Sequence, residues 1–400
     1  MVQYNKITEN HFGEMDFDLH AISGGGFVDR KEIVQEIVAA YDKPGPRLGF
    51  ALYGLRRVGK TSILQESMSK LRTSNHSVVV YLSVFELLDQ TLEEFSRELT
   101  NRVIDAYGPK IGLKHKAQDI ARQFSVLAKE ALKSIRLSLA ATEEIELALY
   151  WKPTDKTSNL ELVERPFTLA QRLSEETKVS CVFIIDEFPE IMKLRNGRQV
   201  GDKIFGVLRT LFEKNKGIVL TIAGSSCSLM ESITLHKSSP FYRQFKVIKV
   251  PPMEDKHIRR IITTHMPGTS EKTLDEVARF CNGIPYYANV IGLELKKRSK
   301  KDVETVKQIA EEYLTQYGDI IFTQEFQQLT PYEKQILIAI TRDNHTPARI
   351  SKATGQPSNN VSKYLNILDQ KALVVKTGKG IYDLTDQVYK RWIMEKQIKD

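Results

Sequence analysis

The sequence predicts an α/β chain with a three-layer αβα core, followed by a helical lid and then by a C-terminal unit of helices and a hairpin. Three observations carry this. Short apolar runs alternate with helical periods from about residue 48 to 250, the pattern of a parallel sheet covered on both faces. After Pro251-Pro252 the period is helical through about residue 318, broken once at Gly283-Ile284-Pro285. From Leu329 the pattern changes again. A chain of 400 residues exceeds one ordinary core, so division is expected on length alone. We read an arm at 1–26, a core at 27–252, a lid at 253–325 and a winged-helix unit at 326–400.

Five core strands are expected, at 48–53, 78–84, 179–185, 218–223 and 245–250, all short and apolar. An insertion at about 110–155 separates the second from the third, with a helical pattern over 114–132 and a hairpin over 135–151. In the hairpin Ile135, Leu137, Leu139, Ile145, Leu147 and Leu149 alternate at period two around Thr142-Glu143-Glu144. It either packs one face on the core or docks a partner through Glu143, Glu144, Glu146, Tyr150 and Trp151. The tail offers a helix from Pro331, a short helix around 348–353, a turn at Gly355-Gln356-Pro357, a longer helix from Ser358 and strands flanking Gly378-Lys379-Gly380. Three helices and a hairpin are the parts of a winged helix.

Composition narrows the class. With 41% hydrophobic and 27% charged residues the chain reads as globular. No stretch of roughly 18 apolar residues and no cationic start followed by an apolar run is present, so a membrane is not expected and the cytoplasm is. Cys181, Cys227 and Cys281 are odd in number and widely spaced, and read as buried small residues rather than as disulfide or zinc partners. Of the formal charge of +8, the segment 331–400 holds 12 Lys and Arg against 7 Asp and Glu, an excess of five. Lys296, Lys297, Arg298, Lys300 and Lys301 read as a solvated helix end.

Gly54-Leu55-Arg56-Arg57-Val58-Gly59-Lys60-Thr61 follows an apolar strand and opens a helical run, the context a P-loop requires. The binding set read from it is Gly54, Arg57, Val58, Gly59, Lys60, Thr61 and Ser62. Its glycines let backbone N–H groups converge on phosphate, Lys60 reaches the terminal phosphates of ATP, and Thr61 offers a hydroxyl to Mg²⁺. The run from Cys181 to Ile185 delivers Asp186 as the second Mg²⁺ partner, and Glu187 is either a base for the attacking water or a helix cap. Ser225, after the fourth strand, is a phosphate sensor or a turn residue, and Arg243 is a finger toward a neighbouring subunit or a surface residue.

The segments GLRRVGKTS, FIIDEFPEI, SSPFYRQF and NGIP, in this order, resemble the archaeal-type ATPase family of the STAND group of AAA+-related P-loop ATPases, over about residues 20–320. The resemblance implies adenine contacts from Phe27 and Val28, with Arg30 in the same short motif, and a base-facing Pro285 in the Gly-x-Pro element. Asp29 and Lys31 stand where the family has glycine and glutamate. No lid arginine matches the second sensor of other AAA+ proteins, which implies lid closure with slow turnover.

The helix from Ser358 has Val361, Leu365 and Leu368 on one face and Asn359, Asn360, Ser362, Lys363 and Asn366 on the other, with Lys376 and Lys379 at the hairpin tip. These suit double-stranded DNA, with amides on base edges and cations on phosphate, although winged helices also dock proteins or act as inhibitory lids. The reading is thus a slow ATPase acting as a nucleotide-dependent switch. The alternative is an origin-recognition or DNA-loading factor that binds duplex DNA as an ATP-dependent homo-oligomer.

Overall fold

The computed structural model describes residues 17–19, 21–43, 48–113, 138, 141–145 and 158–396. The strands are β1 (Gly49–Tyr53), β2 (Ser77–Ser83), β3 (Ser180–Asp186), the two-residue pair β4 (Arg195–Asn196) and β5 (Arg198–Gln199), β6 (Ile218–Gly224) and β7 (Phe245–Lys249). A five-stranded sheet runs β2-β3-β6-β1-β7, every pair parallel. β6 lies between β3 and β1, so the end of β6 is carried next to the loop that follows β1.

Both faces of the sheet are covered, which is why its strands read as unbroken apolar runs. Successive side chains point to opposite faces. Phe50, Leu52, Val182 and Ile184 join Ile37 of α1 (Lys31–Tyr41) and Ile63 of α2 (Lys60–Leu71) in one cluster. Ala51, Tyr53, Phe183 and Ile185 join a second cluster with α3 (Leu92–Ile111), α4 (Asn159–Thr177) and α5 (Gly201–Lys214). Local signals set the helix starts: Thr91 Oγ1 accepts from Glu94 N and Ser158 Oγ from Glu161 N. The helix α6 (Cys227–Leu235) follows β6.

The helices after the core are α7 (Asp255–His265), α8 (Glu271–Cys281), α9 (Pro285–Lys297), α10 (Val303–Thr315) and α11 (Tyr317–Gln327). They are more interrupted than the single break expected, because helices also end at Met266, Arg298 and Gln316. The C-terminal segment is α12 (Pro331–Thr341), α13 (Pro347–Thr354), α14 (Ser358–Gln370), β8 (Val374–Gly378), β9 (Ile381–Leu384) and α15 (Gln387–Lys396). A capping box at Thr330 and Glu333 with Pro331 starts α12, Thr346 with Pro347 starts α13, and Gly355 at φ 68° ends it.

Three expectations are corrected. Thr142-Glu143-Glu144 is no hairpin turn: residues 141–145 are helical, with Ala141 and Ile145 buried and Glu144 paired to Arg172 of α4 at 2.7 Å. Alternation alone does not exclude a helix in so short a stretch. The 114–132 helix and most of the hairpin, Ile135, Leu137, Glu146, Leu147, Leu149, Tyr150 and Trp151 among them, lie outside the described residues. Cys227 is only partly buried, because it opens α6 at the edge of the core, whereas Cys181 and Cys281 are buried and all three are free. The terminal helix α15 was not anticipated. Phe322 and Phe326 of α11 pack on its Trp392, so the expected boundary at 325 falls within one continuous apolar cluster shared by lid and tail.

Candidate functional site

The loop after β1 turns because two of its residues are glycines. A Cβ on Gly54 would lie 2.3 Å from Val250 O, and Gly59, at φ 100°, caps α2. Arg57 also takes a left-handed backbone, φ 60°, uncommon for a side-chain-bearing residue. Lys60 opens α2, is buried, and donates from Nζ to Gly54 O at 3.0 Å and Leu55 O at 2.9 Å. Burial pushes its ammonium below the ordinary range, and Glu187 and Asp186 oppose that.

Asp186 ends β3 beside the start of α2. Thr61 Oγ1 donates to its Oδ2 at 2.7 Å, Tyr81 OH donates to the same oxygen at 3.3 Å, and Glu187 N donates to Oδ1 at 2.9 Å. Burial and Asp186 push the Tyr81 phenol upward, so it stays a donor. Thr61 and Asp186 are adjacent hard oxygens, and Mg²⁺ takes one or two protein oxygens and completes its shell with phosphate and water, so the pair fits that ion. Among the described residues no cluster of three or more His, Cys, Asp or Glu could hold a metal by itself.

Glu187 stands at φ 50° with its carboxylate toward the end of β6. Ser225 donates to Glu187 Oε2 twice, from its backbone N at 3.1 Å and its hydroxyl at 3.0 Å. Burial raises the Glu187 carboxyl above its ordinary value, opposed by Lys60 and by the two Ser225 bonds and reinforced by Asp186. Ser225 thus grips the carboxylate.

A cavity of about 560 Å³ opens in front of the loop, a size suited to a nucleotide. Gly59, Lys60, Thr61, Ser62 and Glu187 form one side, and Pro285, Tyr286 and Asn289 of α9 the other. Arg56 and Arg57 also line it, with Asp18, Leu19, Ala21 and Ile22. Gly283, φ 77°, has no room for a Cβ beside Pro252, and Met253 N donates to its carbonyl at 2.7 Å, so the Gly-Ile-Pro element packs on the segment where the core passes into the lid.

Not every expected residue reaches this cavity. Val58 is buried beneath the loop. Phe27 packs on the core and Val28 on the lid, while the wall beside them is made by Ala21 and Ile22, held by Ile22 N to Ser62 Oγ at 3.2 Å and Gly24 N to Glu66 Oε2 at 2.6 Å. Arg30 is buried behind the loop, bonded to Val58 O and, at 2.6 Å, to Pro251 O. It braces the loop from outside. Arg243 is exposed near Gly49↔Phe245, the end of the sheet away from the loop, stacked on Tyr242 at 5.1 Å. The sequence reading missed Tyr81, Tyr286 and Asn289. Asn289 did carry a signal, a polar residue one turn after Pro285 in an apolar helix.

A family described as an ATPase domain predominantly from Archaea matches residues 27–291. The uncharacterized protein MJECL04 of Methanocaldococcus jannaschii is 30% identical over 215 residues, which is 51% of this chain and 46% of that protein's own length. The structure of the Walker-type ATPase PABY2304 of Pyrococcus abyssi superposes with a TM-score of 0.66 at 19% identity, covering 95% of this chain and 99% of that one. The ORC2 protein of Aeropyrum pernix, in its ADPNP–ADP complexes, gives 0.55 at 13% identity, with 96% and 98% covered. Both show a shared fold.

Proposed function

Because the chain belongs to the family of ATPase domains found predominantly in archaea, we propose that this P-loop ATPase is a nucleotide-driven switch. ATP binding closes the lid on the core and repositions the C-terminal unit, and slow hydrolysis resets the state. The observation that supports a switch is where the paired loop arginines reach. Arg56 Nη1 lies 3.4 Å from Glu325 Oε1 of α11, and the Arg57 guanidinium sits 4.3 Å over the Tyr286 ring, within electrostatic reach of Asp386 ahead of α15. Both arginines line the nucleotide cavity and also a cavity of about 60 Å³ against Leu373, Asp386 and Tyr389 of the C-terminal unit. Phosphate charge at the loop therefore has a short physical route to lid and tail.

Lys60 binds the terminal phosphates, Thr61 and Asp186 would hold Mg²⁺, and Glu187, freed from Ser225, orients the attacking water. Bound Mg²⁺ neutralises phosphate charge. Lys60→Ala is expected to abolish binding of fluorescent ATP, and Glu187→Gln to keep binding but slow phosphate release by about 100-fold or more. Unchanged turnover in both variants would sink the assignment.

The C-terminal unit reads as a winged helix that contacts DNA through α14. Its Asn359, Asn360, Lys363 and Asn366 are exposed, as are Lys376 and Lys379. Protein docking is the other use of such a unit. The fold shared with the Aeropyrum ORC2 protein favours examining a second reading, a DNA-loading factor with Arg243 reaching a neighbouring subunit. Size-exclusion chromatography with ATP and duplex DNA separates the two: assembly on DNA supports loading, and a monomer that ignores DNA removes it.

A further inference from the structure

Asn289 lies one helical turn beyond Pro285 on α9, and both line the nucleotide cavity. It is only 3% exposed. Its Nδ2 donates to Pro285 O at 3.1 Å, and since a carbonyl only accepts, this bond fixes which end of the amide faces which way. Oδ1 is buried with no hydrogen-bond partner among the described residues. Asn is also a poor helix former, so the position carries two penalties that a leucine would avoid. A penalty kept inside a binding cavity points to a ligand that relieves it.

The rest of the cavity indicates which part of the ligand arrives there. Lys60, Thr61 and Glu187 define the phosphate end. Ala21, Ile22 and Pro285 supply small apolar surface, suited to the faces of a planar base. We propose that Asn289 reads the base: its Oδ1 accepts a hydrogen bond from the 6-amino group of adenine, selecting 6-aminopurine over 6-oxopurine nucleotides. A 6-oxopurine presents an acceptor at the same place, and two buried acceptors facing each other leave both unpaired. The inference rests on the proposed ATP binding and adds to it the residue that sets base identity.

The test uses the full chain, with ATP, ITP and purine riboside triphosphate competing against a fluorescent ATP analogue. Wild type should bind ATP about tenfold or more tightly than either competitor, because both lack the amino donor. Asn289→Leu, similar in size and apolar, should bring the three affinities together while the phosphates still hold each nucleotide. A packing role alone would weaken all three in common and leave the ratios unchanged, which would overturn the inference. Should the leucine variant fail to fold, the wild-type ratio between ATP and purine riboside triphosphate still decides: a ratio near one overturns base reading. Binding of none of the three would instead overturn the ATP reading, and base recognition with it.

Discussion

At Glu187 two opposing effects meet on one carboxylate. Desolvation favours the protonated form, while Lys60 and the two Ser225 donors favour the charged one, and burial prevails. A general base must be ionised, so activity is lost as pH falls through this raised value, and the acid limb of the rate profile is expected above the ordinary 4.5. Ser225→Ala removes the hydroxyl donor and should move the acid limb of kcat/KM, which reports the nucleotide-free enzyme in which Ser225 holds Glu187, to still higher pH, measured by phosphate release across a pH series. An unmoved limb would dissociate Ser225 from the carboxylate's titration. The same shift has a stability consequence. The unfolded chain releases this proton first, so the group costs stability as pH rises from 4.5 through the folded value, and the cost persists above it. Glu187→Gln is therefore expected to raise the urea midpoint at neutral pH even as it slows turnover, and an unchanged midpoint would count against a buried charge there.

Among the elements, glycines separate positions where the chain is forced from positions where it is loose. The turn from β1 into the phosphate loop passes so near Val250 that Gly54→Ala should destabilise by about 2–3 kcal/mol, since the clash is with backbone that cannot move aside. Gly206 in α5 is exposed, with nothing within 4 Å of an added Cβ, so Gly206→Ala should stabilise by about 0.5–1 kcal/mol. Urea denaturation of both checks this opposition of sign. The strands and the tail's turns were legible because local residues decide them: apolar runs for β1, β3 and β6, Pro331 for the start of α12, Lys379-Gly380 for the two-residue turn between β8 and β9. The helix α15 was not, because its buried Val388, Tyr389, Trp392 and Ile393 follow directly on the hairpin and are matched by partners far away, Phe322 and Phe326.

Taking the chain entire, the DNA contact proposed above would fall on the exposed half of α14 and the hairpin tip, while the other end of α14 meets the core, where Ser226 Oγ donates to Asp369 O at 3.5 Å. Each phosphate neutralised contributes roughly −0.9 to the log–log salt slope. Replacing Lys363, Lys376 and Lys379 together by Ala should flatten that slope by about two to three units and weaken all duplexes alike. Asn359→Ala or Asn360→Ala should instead cost about 1–3 kcal/mol on a preferred site and little elsewhere. Fluorescence anisotropy over a salt series measures both, and absence of salt-dependent binding would hand the unit to protein docking. These measurements need the full chain, because lid and tail share one apolar cluster.

Three features are written in short stretches of the chain: the three-layer core with Asp186 at the end of one apolar strand, the phosphate loop with Lys60 and Thr61, and the amphipathic helix of the tail. Each depends on residues near in sequence or on a periodicity that burial imposes, so each is written locally. It takes the folded chain to show that Arg30 braces the loop from behind rather than facing the cavity, and that Ser225 holds Glu187. Arg56 and Arg57 likewise reach Glu325 and Tyr286 only in the folded chain, and Asn289, on the cavity wall, keeps a buried acceptor without a hydrogen-bond partner among the described residues. Those roles are contacts between segments tens to hundreds of residues apart. Their geometry comes from the order of strands in the sheet and the seating of the lid, which no single stretch of sequence encodes.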